Sequence, residues 1–356
     1  MSSPFEIGIQ LHLPTFRHFS LPDIVKLGQL AHAGGVSQIW VTDNLRSRHP
    51  YVVLTALASR VPVKLGSAVT VQYFRSPLDI ADAVAAITEL MAGREFGLGL
   101  ARGNRYTPSL VNTVKPLAML QEVAQSIRRL LDGEAVRFAD YPAVASYFNL
   151  KPEHPFKLTF APRGPVHLYC GGNGPRALAI GGACMDGLIF GGTFQAVARA
   201  GHMARLMGIA DEAAAQSGRA PLRKVAEIKL SVAQDGRAAR EFVKHSVARR
   251  IVALREEGYS DDDYRRLGIE PDDITRLQKS EREDREFDLR FVTDAMVDAL
   301  FVTGSPDECC DKMKQVAAIA AQHGFRQLMF SELGPDLEQG LRLLCDKILP
   351  SLQELP

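Results

Sequence analysis

Paired cysteines, long apolar runs and an excess of charge of either sign are all missing from this chain. Its five cysteines are an odd number and none lies in a Cys-x-x-Cys pair, which argues against a disulfide framework and against a zinc site. The formal net charge is only +1, and no basic run is interleaved with aromatic residues, which argues against a nucleic-acid partner. No stretch of about 18 apolar residues occurs, and the first residues lack a basic segment followed by an apolar one. We therefore expect a soluble cytoplasmic protein with reduced, mostly buried thiols and no bound metal, membrane or nucleic acid.

Familiar catalytic arrangements are also missing. The sequence contains no His-Glu-x-x-His motif and no recognisable Ser/His/Asp or Cys/His arrangement. Nucleophilic and metal-dependent chemistry therefore have no support in the sequence.

The clearest structural pattern lies between Leu65 and Asn104. Its first part, Leu65 to Val71, is apolar and β-branched, which is typical of a strand buried on both faces. Apolar residues then recur at helical spacing, and a second apolar run follows from Glu95 to Leu100. This succession predicts a βαβ unit.

The same alternation of strand and helix continues along the chain. Strands are predicted at 5–13, 37–41, 63–71, 95–100, 166–170, 187–190, 225–232 and 327–330. Eight strands alternating with helices predict a (β/α)8 TIM barrel, and barrels of this kind often exceed 250 residues as one domain. We therefore expect a single domain over residues 1–356, with insertions after strands 4 and 7 at about 134–163 and 259–290. A doubly wound open sheet is the alternative.

Three segments carry more specific expectations. Prolines punctuate residues 134–163, which suggests an excursion containing a β-hairpin. Residues 194–217 read as one long helix. The charged segment 259–288 is interpreted as a solvated helical excursion rather than an interaction arm.

Candidate site residues follow the predicted strands, because α/β enzymes place their sites at the carboxyl ends of parallel strands. Strand four leads into Ala101, Gly103 and Asn104, and Gly97 and Gly99 precede them. These glycines would let a flat ligand approach closely, or they would only relieve crowding inside the barrel. Their spacing does not match the dinucleotide-binding fingerprint.

Polar residues follow strands one and two. Thr42, Asp43 and Asn44 come directly after strand two and are placed to hydrogen-bond a flat polar ring, although an Asp leaving a strand is also a common helix cap. Gln10 and His12 occupy the corresponding end of strand one, where a lone histidine is more often structural than catalytic.

A glycine-rich turn follows the strand at 166–170. Gly171, Gly172, Asn173 and Gly174 lead into Pro175, which suits the first position of a helix. Free N–H groups and the positive end of the helix dipole would favour an anion there. The segment predicts a phosphate cradle, and a tight turn without a ligand is the alternative.

Four collinear blocks, at residues 39–58, 65–104, 166–192 and 300–330, carry a family resemblance. Through them the chain resembles the bacterial luciferase-like superfamily of flavin and deazaflavin oxidoreductases. Within it, the chain is similar to the coenzyme F420-dependent methylenetetrahydromethanopterin reductase branch.

The resemblance implies a TIM barrel that binds an isoalloxazine-like ring at the carboxyl ends of its strands, and it implies a homodimer. Its implied cofactor-binding residues form four groups: Asp43 and Asn44 at the ring or its hydroxyl edge, Ala68, Val69 and Thr70 as a bulge under the ring, Gly99, Ala101 and Gly103 beside it, and Gly171 to Gly174 at the phosphate. The deazaflavin branch has a non-prolyl cis peptide in this bulge, which corresponds to Ala68-Val69 here.

Two positions depart from the family pattern. Gln10 replaces a Glu of the reductases and cannot act as a general acid, and Asn44 replaces a His that is common in the deazaflavin branch. With Asp43, these are the candidate catalytic residues. The leading prediction is hydride transfer between coenzyme F420 and a small organic substrate. An FMN-dependent monooxygenase of the same superfamily is one alternative, and a non-catalytic flavin-binding barrel is another.

Overall fold

The computed structural model describes residues 5–11, 19–45, 48–104, 106–284 and 286–353, without the side chains of 282–284. His12, one of the residues noted at the end of strand one, lies outside the described residues. The strands are β1 (Glu6–Leu11), β2 (Gln38–Val41), β3 (Lys64–Val71), β4 (Phe96–Ala101), β5 (Val136–Arg137), β6 (Pro155–Phe156), β7 (Val166–Cys170), β8 (Gly187–Phe190), β9 (Arg223–Val232), β10 (Val302–Gly304) and β11 (Gln327–Leu333).

Helices alternate with these strands. The α-helices are α1 (Leu21–Ala33), α2 (Pro50–Ala58), α3 (Pro77–Glu89), α4 (Pro116–Leu131), α5 (Pro142–Tyr147), α6 (Pro175–Cys184), α7 (Phe194–Arg199), α8 (Met203–Gln216), α9 (Gly236–Glu256), α10 (Asp261–Arg266), α11 (Pro271–Asp284), α12 (Asp294–Leu300), α13 (Pro306–Gln322), α14 (Leu337–Leu343) and α15 (Leu349–Gln353). Many of them begin with proline in the first turn after a polar N-cap residue, as at Ser76-Pro77 of α3, where the Ser76 hydroxyl accepts a hydrogen bond from the Asp79 N–H.

The fold is a closed, eight-stranded parallel α/β barrel, as the sequence predicts. Within the described residues the sheet has nine strands in the order β10-β9-β11-β1-β2-β3-β4-β7-β8, and β8 also pairs with β9. The eight strands from β9 to β8 therefore close the barrel, and β10 is an additional strand paired with β9. The neighbouring pairs from β1 to β4, and on to β7 and β8, are parallel. Strands β5 and β6 form a separate antiparallel pair.

The chain divides into two compact units. Within the described residues, the first, the N-terminal unit, comprises those of Glu6–Phe190 and Leu206–Val225, and the second, the C-terminal unit, comprises Phe5, Gly191–Arg205 and those from Ala226 onward.

The core of the N-terminal unit is built around Trp40, whose side chain is fully buried. Its ring meets that of Tyr169 edge-on, with centroids 5.5 Å apart. A Cβ atom at Gly66 or at Gly97 would lie within 2.6 Å of the indole. These two glycines therefore make room for Trp40, which is the crowding explanation for part of the glycine pattern.

In the C-terminal unit, the solvated helical excursion expected at residues 259–288 is not what the structure shows. The segment is helical, but it is not a solvated excursion, because Tyr264, Leu267, Ile274 and Leu277 are fully buried against α9 and α12. The phenol of Tyr264 donates a hydrogen bond to the Ile251 carbonyl over 2.9 Å. Because charged residues lie between these apolar positions, the sequence pattern did not indicate that this segment packs into the core.

Three other predicted boundaries change. The helix expected at 194–217 is interrupted between α7 and α8, where Gly201 adopts a φ of +83°. The short strand β10 was missed; it pairs with β9 through Val302 and Leu230. In the 134–163 insertion the two strands are separated by α5, so they pair without forming a tight hairpin.

Candidate functional site

The predicted site residues all lie in the N-terminal unit, and β3 carries the central feature. Its register against β4 shifts between Ser67 and Thr70, which leaves one extra residue in β3 as a bulge. The peptide bond Ala68-Val69 inside this bulge is cis, as the family resemblance predicted. Ala68 is buried and Val69 is half-buried, so Val69 is the residue of this pair that remains partly exposed.

Residues from β1 and from the end of β2 hold the bulge. The Gln10 side chain donates through Nε2 to the Ala68 carbonyl over 2.7 Å, and the Thr42 hydroxyl donates to the same oxygen over 3.0 Å. The N–H of Asp43 donates to the Val69 carbonyl over 3.3 Å. Gln10 and Asp43 therefore lie beside the bulge.

Val69 accounts for two of the predicted glycines. A Cβ at Gly171 would lie 2.3 Å from the Val69 Cγ1 atom, and a Cβ at Gly99 would lie 3.0 Å from it. The N–H of Gly171 donates to the Leu100 carbonyl over 2.8 Å. These glycines let Val69 lie close to β4 and to the end of β7.

Asp43 is the most unusual side chain of the site. It is buried and forms an ion pair with Arg75 through Oδ2. Its other oxygen, Oδ1, is buried and has no hydrogen-bond partner among the described residues. Burial raises the pKa of the Asp43 carboxyl, and the charge and hydrogen bond of Arg75, together with a backbone hydrogen bond from Leu45, oppose that rise. A buried acceptor without a donor costs free energy, so Oδ1 is suited to receive a donor from a ligand.

The Arg75 guanidinium is itself held by two residues of the α2 region. Its Nε donates to His49 Nε2 over 3.0 Å, and its Cζ lies 5.8 Å from the centre of the Tyr51 ring. The Tyr51 hydroxyl and the Thr70 hydroxyl share a hydrogen bond of 2.9 Å. The hydroxyl of Thr70 is thus already engaged with Tyr51.

The glycine-rich segment after β7 opens α6. Gly174 is the N-cap residue, with φ −81° and ψ 146°, and no side chain caps the helix there. Gly174 and Arg176 are exposed, and a Cβ at Gly174 would meet nothing within 4 Å. An open, uncapped helix start with an arginine in its first turn provides backbone donors and positive charge for an anion.

The remaining predicted residues divide between buried backbone and exposed turn. Ala101 is buried, and its carbonyl accepts a hydrogen bond from the Gln72 N–H over 3.0 Å. Gly103 has a φ of +88°, and a Cβ there would clash with Thr107. Asn104 is exposed, and its Oδ1 accepts a hydrogen bond from the Tyr106 N–H over 2.9 Å. These two residues shape the turn after β4.

Asn44 and Asn173 are both half-buried, at the ends of β2 and β7 respectively. Sequence reasoning missed Arg75, His49, Tyr51 and Gln72. Gln72 is fully buried, donates through Nε2 to the Pro116 carbonyl over 2.9 Å, and has an unpartnered Oε1 among the described residues. The only signal for these residues was their place just after β3 or at the start of α2, which is shared by many surface residues.

Two kinds of site are not found in the described part of the chain. No group of three or more His, Cys, Asp or Glu side chains is arranged to hold a metal ion. No helix there is long and apolar enough to cross a membrane.

The closed parallel barrel, with polar and bulged strand ends gathered on one side of the N-terminal unit, defines an α/β-barrel enzyme. The family described as luciferase-like monooxygenase matches residues 1–323, and the protein belongs to this family.

Individual relatives and structures extend this result. The chain is 28% identical over 357 residues to a 5,10-methylenetetrahydromethanopterin reductase of Archaeoglobus fulgidus, covering 98% of this chain and all of the relative. It is similar to the structure of the coenzyme F420-dependent tetrahydromethanopterin reductase of Methanopyrus kandleri, with a TM-score of 0.76, 21% identity, and coverage of 98% and 99%. It is also similar to the oxygenating constituent of 3,6-diketocamphane monooxygenase of Pseudomonas putida in complex with FMN, with a TM-score of 0.68, 18% identity, and coverage of 99% of both chains.

Proposed function

We propose that this protein is an oxidoreductase that transfers a hydride between coenzyme F420 and a small organic substrate. The nearly full-length match to an F420-type reductase makes the deazaflavin the first candidate cofactor. The observation that carries the proposal is the buried Oδ1 of Asp43, which lacks a donor among the described residues. A hydroxyl on the edge of the F420 ring supplies such a donor, whereas FMN carries methyl groups on that edge.

The residues present fit the two chemically distinct parts of such a cofactor. Val69 offers a non-polar surface to a flat ring, and Asp43 offers an acceptor beside it. The uncapped start of α6, with Gly172 and Gly174 before it and Arg176 in its first turn, suits a phosphate group. Ala68, Gly99, Ala101 and Gly171 are proposed to act through the backbone that shapes this surface.

The bound deazaflavin supplies the hydride-accepting ring carbon, and the chain supplies placement and electrostatics. Asp43 accepts a hydrogen bond from the ring and, because Arg75 balances its charge, orients the ring without releasing a proton. Asn44, half-buried at the end of β2, is proposed to contact the substrate. The Gln10 amide donates a hydrogen bond to the Ala68 carbonyl of the bulge, and it has no acidic proton to transfer. An alcohol substrate would lose its hydride to the ring carbon and its hydroxyl proton to solvent, because Gln10 cannot take up that proton, and a carbonyl substrate would take up both in the reverse direction.

A turnover experiment tests the proposal. Purified protein is mixed anaerobically with F420 and a panel of secondary alcohols, and separately with reduced F420 and ketones, while the absorbance of the oxidised ring is followed. We expect turnover with some member of the panel, with loss of most activity in Asp43→Asn. Binding of F420 without turnover for any pair would instead support the non-catalytic barrel.

The FMN-dependent monooxygenase remains the second candidate, because a solved FMN enzyme shares this fold over nearly its whole length. Oxygen separates the two functions. A monooxygenase forms product only when oxygen and reduced FMN are both supplied, whereas the F420 reaction proceeds without oxygen.

We also propose that the protein works as a cytoplasmic homodimer, as the resemblance to the superfamily implies. Light scattering of the purified protein would report about one or about two chain masses and so determine whether the protein is a monomer or a dimer.

A further inference from the structure

We propose that Arg75 is a positioning residue of the cofactor site: it fixes Asp43 through Oδ2, so that Oδ1 is held ready for a hydrogen-bond donor on the cofactor. This inference rests on the proposed function, and it adds the residue on which the binding acceptor depends.

Arg75 is unusually constrained for an arginine in a connecting segment. Its side chain is only 9% exposed, although the residue lies between β3 and α3. The next residue, Ser76, is the N-cap of α3, so the backbone at this point is held by the helix. Contacts with Asp43, His49 and Tyr51 then fix the guanidinium in both position and plane.

The hydrogen bond to His49 assigns the state of that imidazole. Because the Arg75 Nε–H is the donor, His49 Nε2 must carry a lone pair, so the ring is neutral with its proton on Nδ1. Burial and the nearby Arg75 charge both lower the pKa of His49, and Asp79 opposes them. A neutral His49 acts as an acceptor that aims Arg75 toward Asp43, since a protonated ring would repel the guanidinium.

The ion pair is what allows Asp43 to be a buried acceptor. A carboxylate whose side chain is fully buried needs a counter-charge, and Arg75 provides it. Among the described residues, the charged and titratable groups that act on this pair are His49 and Tyr51 of the α2 region and Asp79 of α3. Tyr51 is fully buried and stays neutral, because burial raises the pKa of its hydroxyl well above the usual range. Arg75 is therefore the positive charge that supports the Asp43 carboxylate.

A purely structural arginine would behave differently. It would change the free energy of unfolding with pH through the Asp43 pKa, but it would not alter how cofactor affinity depends on pH. A positioning arginine alters both, because its loss leaves only the Leu45 backbone hydrogen bond to oppose the effect of burial on Asp43. The Asp43 carboxyl would then take up a proton at higher pH and lose its acceptor character.

The test measures F420 affinity by fluorescence quenching between about pH 5 and pH 8.5 for the wild type, Arg75→Met, Arg75→Lys and Asp43→Asn. We expect Arg75→Met to weaken binding about tenfold or more at neutral pH and to move the acid limb of the affinity profile to higher pH. Arg75→Lys should recover part of the affinity, because it keeps the charge but loses the planar fork. Asp43→Asn should bind weakly with little pH dependence, and adding Arg75→Met to it should change little more.

A matched control is Arg128→Met in the same unit. Arg128 is also partly buried and pairs with Asp186 over 2.5 Å, on a contact unrelated to Asp43. This variant should lower stability without moving the pH profile of binding. An Arg75→Met profile that retains the wild-type shape would overturn the inference.

Unfolding of the apo protein gives a second readout that needs no cofactor. The Asp43 pKa is raised above its ordinary value near 3.8, so the folded state binds more protons, and this carboxyl costs stability increasingly as pH rises through that raised value. Without Arg75 the cost grows, so the stability gap between wild type and Arg75→Met should widen from about pH 4 to about pH 8 and should vanish in the Asp43→Asn background. A constant gap contradicts the role of Arg75. Failure of the wild type to bind F420 while the gap widens contradicts only the proposed cofactor.

Discussion

The side-chain amide of Gln10 donates to the carbonyl of Ala68 over 2.7 Å, and this bond ties the end of β1 to the bulge of β3. A glutamate at this position cannot make the same bond while ionised, because a carboxylate has no proton to donate. The departure from the reductase pattern at Gln10 is therefore matched by a contact that requires an amide.

Gln10→Glu should expose this requirement. At about pH 8 a carboxylate would face the Ala68 carbonyl, and we expect a loss of about 1–3 kcal/mol in the free energy of unfolding. At about pH 4.5 a protonated carboxyl can donate, so much of the loss should be recovered. Gln10→Ala lacks both the donor and the charge and should show a smaller loss that does not depend on pH. Urea denaturation at the two pH values measures this, and equal stability of Gln10→Glu and the wild type at pH 8 would show that the bond contributes nothing.

Gly97→Ala tests the packing of Trp40. The added Cβ would lie 2.4 Å from the indole, so the ring must shift, at a cost of about 1–3 kcal/mol. Gly208→Ala in α8 is the matched control: nothing lies within 4 Å of its Cβ, and a helical alanine should stabilise by about 0.5–1 kcal/mol. Relative to the wild type, the melting temperature should fall in Gly97→Ala and rise in Gly208→Ala. The double variant Gly97→Ala/Trp40→Phe should recover part of the melting temperature that Gly97→Ala loses. A neutral Gly97→Ala would mean that the core is looser than these contacts indicate.

His167 should make the protein lose stability in mild acid. Burial lowers its pKa below the ordinary value near 6.5, as does the charge of Arg223, although Glu95 lies 3.5 Å away. The unfolded chain therefore binds the proton more readily, and stability falls as pH drops below about 6.5. Between about pH 7.5 and pH 5.5 the wild type should lose about 1 kcal/mol more than His167→Gln in urea unfolding. His154→Gln, at an exposed position, is the control that should follow the wild type.

Gly174→Asp separates helix capping from anion binding. Aspartate at this N-cap should leave the melting temperature unchanged or slightly raised, because it caps α6. Its negative charge should weaken F420 binding about tenfold, because it repels the phosphate and occupies the same N–H groups. Gly174→Asn caps the helix without charge and should bind better than the aspartate variant. If the two variants bind F420 equally well, the phosphate does not lie at this helix start.

The sequence was most informative where structure depends on local pattern. The barrel strands are short apolar runs followed by turn residues, so β7 and β8 were predicted at their observed bounds. By contrast, β10 has three residues and forms only by pairing with β9, a contact that no local pattern encodes. The buried face of α10 and α11 was hidden because its apolar residues are spaced among charges.

The candidate site divides in the same way. Asp43 and the Gly171–Gly174 segment were predicted as site residues because they follow predicted strands. Arg75 was not predicted, because its contact with Asp43 is long-range and is not indicated by its neighbours in sequence. The glycine pattern was ambiguous for a related reason: only the positions of Trp40 and Val69 reveal which glycines relieve crowding.

Cofactor choice is the central claim, and a pair of titrations tests it most directly. Purified protein is titrated with F420 and separately with FMN, and fluorescence quenching of each ring gives its dissociation constant. We predict tight binding of F420, weaker binding of FMN, and loss of this preference in Asp43→Asn. Tighter binding of FMN than of F420 would contradict it.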